Sequence, residues 1–198
     1  MQRLTQAILD HVASLSEGAT VSAKALLHMG SRAAVDQSLS RLVRRGQLIR
    51  AGRGLYVRPV ESRFGKRPPS VEHVVKALAA STDEVIASHG AAAANALGLT
   101  TQVPVREVYL TSGPSRRLKL GTRSVELRHA PKWQLTLAGR PSGEAIRALA
   151  WLGEAHAPAA LKTLSARLST EALAEIVRAR PRLPTWLAQQ VSGLAVNG

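Results

Sequence analysis

Over the first sixty residues apolar side chains recur first at helical spacing and then at the spacing of short strands. Leu4, Ala7, Ile8, Val12 and Leu15 fall on one face of a helix over residues 4–15, which predicts an amphipathic element with a buried stripe. The polar, glycine-containing stretch "SEGAT" interrupts it. Ser22 can cap a short second helix, "AKALLHM", which Gly30 ends, and Ser31 then caps a third. That third helix runs to Arg45 with Gly46 as its stop, and Val35, Leu39, Leu42 and Val43 stand at i, i+4, i+7 and i+8. "QLIR" and "LYVR" around "AGRG" follow, two β-prone runs with a glycine turn that predict a hairpin.

Residues 59–70, "PVESRFGKRPPS", combine prolines, a glycine and basic residues with no apolar period, and are expected to be a basic linker. Beyond it the pattern predicts a helix ("VEHVVKALAAS"), a short strand ("EVIAS"), and a small-residue helix ("GAAAANALGL") ended by Gly98. Strands at "EVYLTS", "RLKL" and "SVELRHA" come next, with turns at Ser112 to Pro114 and at Gly121. Four amphipathic helices, "SGEAIRALAWLG", "PAALKTLSARL", "TEALAEIVRAR" and "PTWLAQQV", close the chain. The expected fold class is α+β. Residues 1–60 form a winged helix-turn-helix, 61–70 a linker that tolerates cutting, and 71–198 an α+β domain ending in several helices. No repeat of fixed period is present.

Composition narrows the function. The 198 residues are 45% hydrophobic, enough for a packed core, and carry a formal net charge of +14, which points to a polyanionic partner such as nucleic acid. With no cysteine, disulfides and thiolate metal sites are excluded. No apolar run is long enough to span a bilayer and the N-terminus lacks a signal core, so a cytoplasmic protein without membrane association is expected.

In a winged helix-turn-helix the third helix enters the major groove, so its outer face must be polar and basic. With Val35 at the centre of the buried face, Gln37, Ser40, Arg41 and Arg44 lie on the opposite side, and Arg32 projects from the first turn. Arg can pair bidentately with guanine and Gln with adenine, whereas Ser22, Ser31 and the helix N-termini suit phosphate oxygens. Arg50 and Arg53 on the hairpin would touch phosphates or enter a minor groove; Arg45 and Arg58 are expected either as contacts or as flanking charges that steer non-specifically. The duplex-DNA site is therefore expected at Ser22, Ser31, Arg32, Gln37, Ser40, Arg41, Arg44, Arg45, Arg50 and Arg53. A second basic surface is expected at Arg116, Arg117, Lys119, Arg123 and Arg128, either as a further nucleic-acid surface or as a charged sheet edge that discourages strand pairing.

The phrases "SRAAVDQSLSRLVRRGQLIRAGRGLYV" and "SHGAAAANALGLTTQVPVREVYLTSG" resemble the AbiEi-type antitoxins of type IV toxin-antitoxin systems, over roughly residues 1–150. The first phrase is shared by many winged-helix regulators; the second is more specific. The resemblance implies an N-terminal winged helix that represses its own operon through an operator with inverted repeats, bound as monomer or dimer. It also implies a C-terminal domain that counters a neighbouring nucleotidyltransferase toxin without requiring a stable complex. The last 45 or so residues carry no motif matched to that family.

Catalysis finds little footing in the sequence. His11, His28, His73, His89, His129 and His156 are scattered without metal-ligand spacing; His89, opening a helix beside a glycine, is the one candidate for chemistry. The 13 acidic residues do not cluster, and only Asp83 and Glu84 are adjacent. "AGRG" lacks phosphate-loop spacing. Trp133, Trp151 and Trp186 are expected in packing rather than base stacking. The expectation is no enzyme, no cofactor and no metal. The alternatives are a ligand-responsive regulator unrelated to toxins, or a nucleic-acid-modifying enzyme.

Overall fold

The computed structural model describes residues 2–195, so residue 1 and residues 196–198, at the outer ends of the two expected domains, lie outside it. The chain is α+β with a helical C-terminal region. In order come α1 (Gln2–Ala13), β1 (Thr20–Ser22), α2 (Arg32–Arg44), β2 (Ile49–Gly52), β3 (Leu55–Val57), β4 (Val60–Ser62) and β5 (Gly65–Arg67). Then come α3 (Val71–Thr82), β6 (Ile86–Ser88), α4 (Gly90–Ala96), β7 (Glu107–Thr111), β8 (Arg116–Leu120) and β9 (Arg123–His129). The helices α5 (Pro141–Leu152), α6 (Ala157–Arg167), α7 (Thr170–Ala179) and α8 (Thr185–Ser192) complete the described chain.

Two compact units emerge. The first comprises residues 1–84 and 116–126, the second residues 85–115 and 127–198. The core of the first is built from Ile8 and Val12 of α1, Val35, Leu39 and Leu42 of α2, and Val21, Ala23, Leu26, Leu48 and Tyr56. Each large aliphatic side chain so buried contributes on the order of 1.5–3 kcal/mol, which outweighs the modest intrinsic helix propensities of short segments. Thr5 Oγ1 donates to Ser38 Oγ across 3.2 Å, a buried polar link between α1 and α2. Ala7, expected on the inner face of α1, is exposed.

α2 begins as its sequence predicts, with Ser31 Oγ accepting from the Ala34 amide. Its end follows from Gly46, whose φ of 65° is open to glycine and strained for other residues. The Gly46 amide bonds the Val43 carbonyl and the Gln47 amide the Leu42 carbonyl, closing a Schellman motif.

Three departures from the expected pattern have local causes. Residues 23–29 are not a helix but successive turns, with amides of Ala25, Leu27 and Met29 bonding the carbonyls of Ser22, Lys24 and Leu26. A segment this short makes few i→i+4 bonds to set against the cost of nucleation, so whether it becomes a helix, as α4 does, or a series of turns is left to its packing. Ser22 caps the first of these turns, its Oγ accepting from the Ala25 amide at 3.1 Å. An unpredicted strand, β1, pairs antiparallel with β3 in a sheet of order β1-β3-β2, Val21 opposite Tyr56. Finally, the stretch expected as a linker over 61–70 holds a hairpin, with Val60 opposite Arg67 and Ser62 opposite Gly65. Ser62 Oγ accepts from the Phe64 amide and donates to the Gly65 carbonyl, and Lys66 pairs with Glu61 at 3.5 Å. Its residues are exposed or half-exposed, so no apolar alternation marked it.

α3 also belongs to the first unit rather than to a domain beginning at 71. Ser70 caps it, and a Cβ on Gly18 would stand 2.7 Å from His73 Cβ, so the loop after α1 approaches α3 closely. β6 pairs antiparallel with β7 in the second unit, Ala87 opposite Leu110, and β8 belongs to the first unit. In the second unit α4 packs on α5, and Ala145, Ile146, Leu149, Leu161, Leu164, Ile176, Leu187 and Val191 form the core of the helical region. Trp133 and Trp186 pack against that core, and Trp151 remains 39% exposed. Among the described residues no helix is long and apolar enough to cross a membrane.

Candidate nucleic-acid interface

The outer face of α2 follows from burial of its other face. With Val35, Ser38, Leu39 and Leu42 inside, Gln37, Ser40, Arg44 and Arg45 are exposed. Arg41, expected on the same open face, is half-buried in a shallow cleft beside Gln6 and Leu9 of α1. Arg32 is exposed but its Nε donates to Asp36 Oδ2 at 2.8 Å, an i,i+4 pair that offsets its charge. Ser22 and Ser31 each accept one bond from a backbone amide, and each hydroxyl can still donate.

β2 and β3 form the expected hairpin, Ile49 opposite Val57 and Arg50 opposite Tyr56, with an irregularity before Gly52. Arg50, Arg53 and Arg58 are exposed along it. β8 lies against β2 within the same unit. Leu118 and Leu120 point inward while Arg117 and Lys119, at the alternate positions, face out. Arg50, Arg53, Arg117 and Lys119 consequently rim one shallow groove of about 300 Å³ floored by Ala51 and Gly52. Two basic patches expected in separate domains are thus partly one.

The remaining members of the expected second surface divide differently. Arg116 is held by Glu84 at 2.9 Å, an ion pair that ties the start of β8 to the chain just after α3. Arg123 is exposed at the start of β9, and Arg128 lies in the second unit. By contrast Arg41, Arg44, Arg45, Arg50, Arg53, Arg117 and Lys119 make no ion pair among the described residues. Seven such cations in one unit repel one another unless a polyanion supplies the counter-charge.

The sequence reading passed over the tip of the β4–β5 hairpin. Phe64, the only phenylalanine of the chain, is 86% exposed, and the Arg63 guanidinium carbon sits 4.7 Å from its ring centroid. A lone aromatic inside a polar, glycine-containing run is the one signal that marked it. The histidines serve local structure: His89 Nδ1 accepts from the Ala91 amide, and the Nδ1 atoms of His28, His129 and His156 bond main-chain carbonyls. Among the described residues no three His, Asp or Glu side chains gather at metal-ligand distances.

A family profile described as a family of unknown function (DUF6088) matches residues 7–173. No curated protein matches the chain. Among solved structures, the chain is similar to one described as the crystal structure of RV2827C protein from Mycobacterium tuberculosis. The TM-score is 0.49 at 15% identity, and the alignment covers 97% of this chain and 76% of that one.

Proposed function

We propose that this chain, which belongs to a family of unknown function (DUF6088), is a sequence-preferring DNA-binding repressor rather than an enzyme. The observation that carries the reading is the set of unneutralised cations on α2 and on the β2–β8 groove. The order α1, turns, α2, hairpin supports a winged helix-turn-helix. In it α2 presents Gln37, Ser40 and Arg44 to base edges in the major groove, with the half-buried Arg41 at the margin of that face, and the β2–β3 hairpin is the wing. Arg50, Arg53, Arg117 and Lys119 hold phosphates beside it, which contributes affinity and register rather than a base code.

The role in the cell follows from the resemblance to AbiEi-type antitoxins. On this reading the chain represses its own operon in the cytoplasm through inverted repeats, and counters a neighbouring nucleotidyltransferase toxin without a stable complex. The fluorescence anisotropy of a labelled duplex from its own promoter, competed by a scrambled duplex, tests the binding. Preferential displacement by the native sequence and steep weakening with salt are expected; equal competition by the scrambled duplex overturns operator recognition. Growth of cells co-expressing the neighbouring toxin tests the antitoxin role independently.

A further inference from the structure

We infer that the cavity beside Arg147 in the second unit binds a small organic anion, whose carboxylate or phosphate head is taken by the Arg147 guanidinium. Arg147 stands in the middle of α5 and is 1% exposed, the largest fully buried side chain among the described residues. Its polar contacts use little of its donor capacity. Nη1 reaches the Gln134 carbonyl only at 3.5 Å, and Nη2 lies 3.7 Å from Glu144 Oε1, an oxygen already accepting from Ser88 Oγ at 3.0 Å. Nε and Nη2 have no hydrogen-bond partner and are themselves buried, so an anion in the adjoining cavity reaches them as the side chains over them shift.

Those two atoms are the side-on edge of the guanidinium, the edge that takes both oxygens of a carboxylate or phosphate in parallel hydrogen bonds. The Glu144 carboxylate approaches Nη2 without closing to hydrogen-bond distance, so the donors of that edge stay unspent although the group is buried. Burial pushes the group down from its ordinary pKa, partly opposed by the Glu144 carboxylate, so an anion at the fork would restore the charged form's stabilisation.

The surroundings define the rest of the ligand. Arg147 lines a cavity of about 270 Å³ together with His89, Gln134, Leu110, Ala150 and Trp151. That volume falls just below the range of about 300–1,000 Å³ typical of drug-sized ligands, which fits a small metabolite and excludes a nucleic-acid strand. Leu110, Ala150 and Trp151 supply the apolar part of an otherwise polar lining, so the anion carries a small apolar body. The site stands apart from the DNA-binding reading, being built wholly from residues of the second unit.

The experiment uses the full chain with sodium benzoate and phenyl phosphate as probes, against sodium chloride at matched ionic strength. Thermal denaturation should show a rise of about 5–10 °C at a hundredfold excess over Kd, growing with the logarithm of the probe concentration. Trp151 fluorescence should titrate with the same Kd in a Trp133→Phe, Trp186→Phe background. The better probe decides between carboxylate and phosphate. Arg147→Met should weaken binding at least tenfold while keeping all surface charges, so anion binding to the basic surface cancels in the comparison. Ala150→Met, at a half-buried position, should close the cavity with the guanidinium intact, and keeps the test decisive if Arg147→Met does not fold. No rise above chloride in the unmodified chain, or an equal rise in Ala150→Met, overturns the inference.

Discussion

Gly52 of β2 lies against the backbone of Arg117 in β8: a Cβ on the glycine would stand 3.8 Å from the Arg117 carbonyl oxygen and 3.9 Å from Leu118 Cδ2. That closeness brings the side chains of Arg117 and Lys119 beside Arg50 and Arg53, although 64 residues or more separate them in sequence. Arg117→Ala and Lys119→Ala should therefore weaken binding to every duplex alike. Each lost phosphate contact should make the slope of log affinity against log salt less negative by about one. Anisotropy titrations over a salt series measure it, and an unchanged slope would remove β8 from the interface.

The outer face of α2 should behave differently. Gln37→Ala and Arg44→Ala are expected to cost about 1–3 kcal/mol on the native operator and less on a scrambled duplex, relaxing discrimination. Arg53→Ala should lower both affinities by a similar factor. Equal losses from all three substitutions would make α2 an electrostatic anchor without base contacts.

A fragment of residues 1–68 should be much less stable than the full chain. Cutting there removes α3, whose Val71, Val74, Val75 and Leu78 are buried, and β8, whose Leu118 and Leu120 are buried in the same unit. Urea unfolding followed by circular dichroism should show a lower midpoint or no cooperative transition. A cooperative transition at the full chain's midpoint would show that residues 1–68 are a domain in their own right.

Gly90 is the contact point of α4 and α5. A Cβ there would fall 2.4 Å from the Arg147 carbonyl oxygen and 2.6 Å from Trp151 Cβ, so Gly90→Ala must push the helices apart. A loss of about 1–3 kcal/mol in unfolding free energy is expected from this overpacking. A neutral or stabilising result would show that the helices have room to separate.

Glu175 should titrate below ordinary glutamate. The Ser142 hydroxyl, donating at 2.5 Å, is the main cause, and the paired Arg140 guanidinium adds to it against the opposing effect of desolvation. Because the folded value is depressed, the stabilisation is present above the unfolded carboxylate range and fades as pH falls through the folded value. Ser142→Ala should raise the Glu175 pKa, read by carboxyl carbon-13 NMR, and shift acid unfolding to higher pH. An unmoved titration would mean that Ser142 does not set it.

Much of the helical content is legible in local signals. α1, α2, α3 and α5 to α8 appear within a few residues of their predicted spans, because apolar periodicity, serine caps and glycine stops act over four or five residues. The exposed positions Gln37, Ser40, Arg44 and Arg45 follow from the same arithmetic once Val35 is placed inside. Arg41 does not, since how far α1 covers it depends on the crossing of two helices.

The sequence by itself determined an α+β chain with a large cationic excess and a helix whose outer face is polar and basic. Those properties depend on which residues are present and on spacings of one to eight positions. Tertiary structure alone decided that β1 pairs with β3, that 61–70 folds into a hairpin, that Arg117 joins the Arg50 and Arg53 groove, and that Arg147 is buried with an unused fork. Strands of three residues carry too little alternation to declare themselves, and which edge they meet is set by register between distant segments. A guanidinium likewise reads as solvated surface charge until packing shows which of its donors have been left without acceptors.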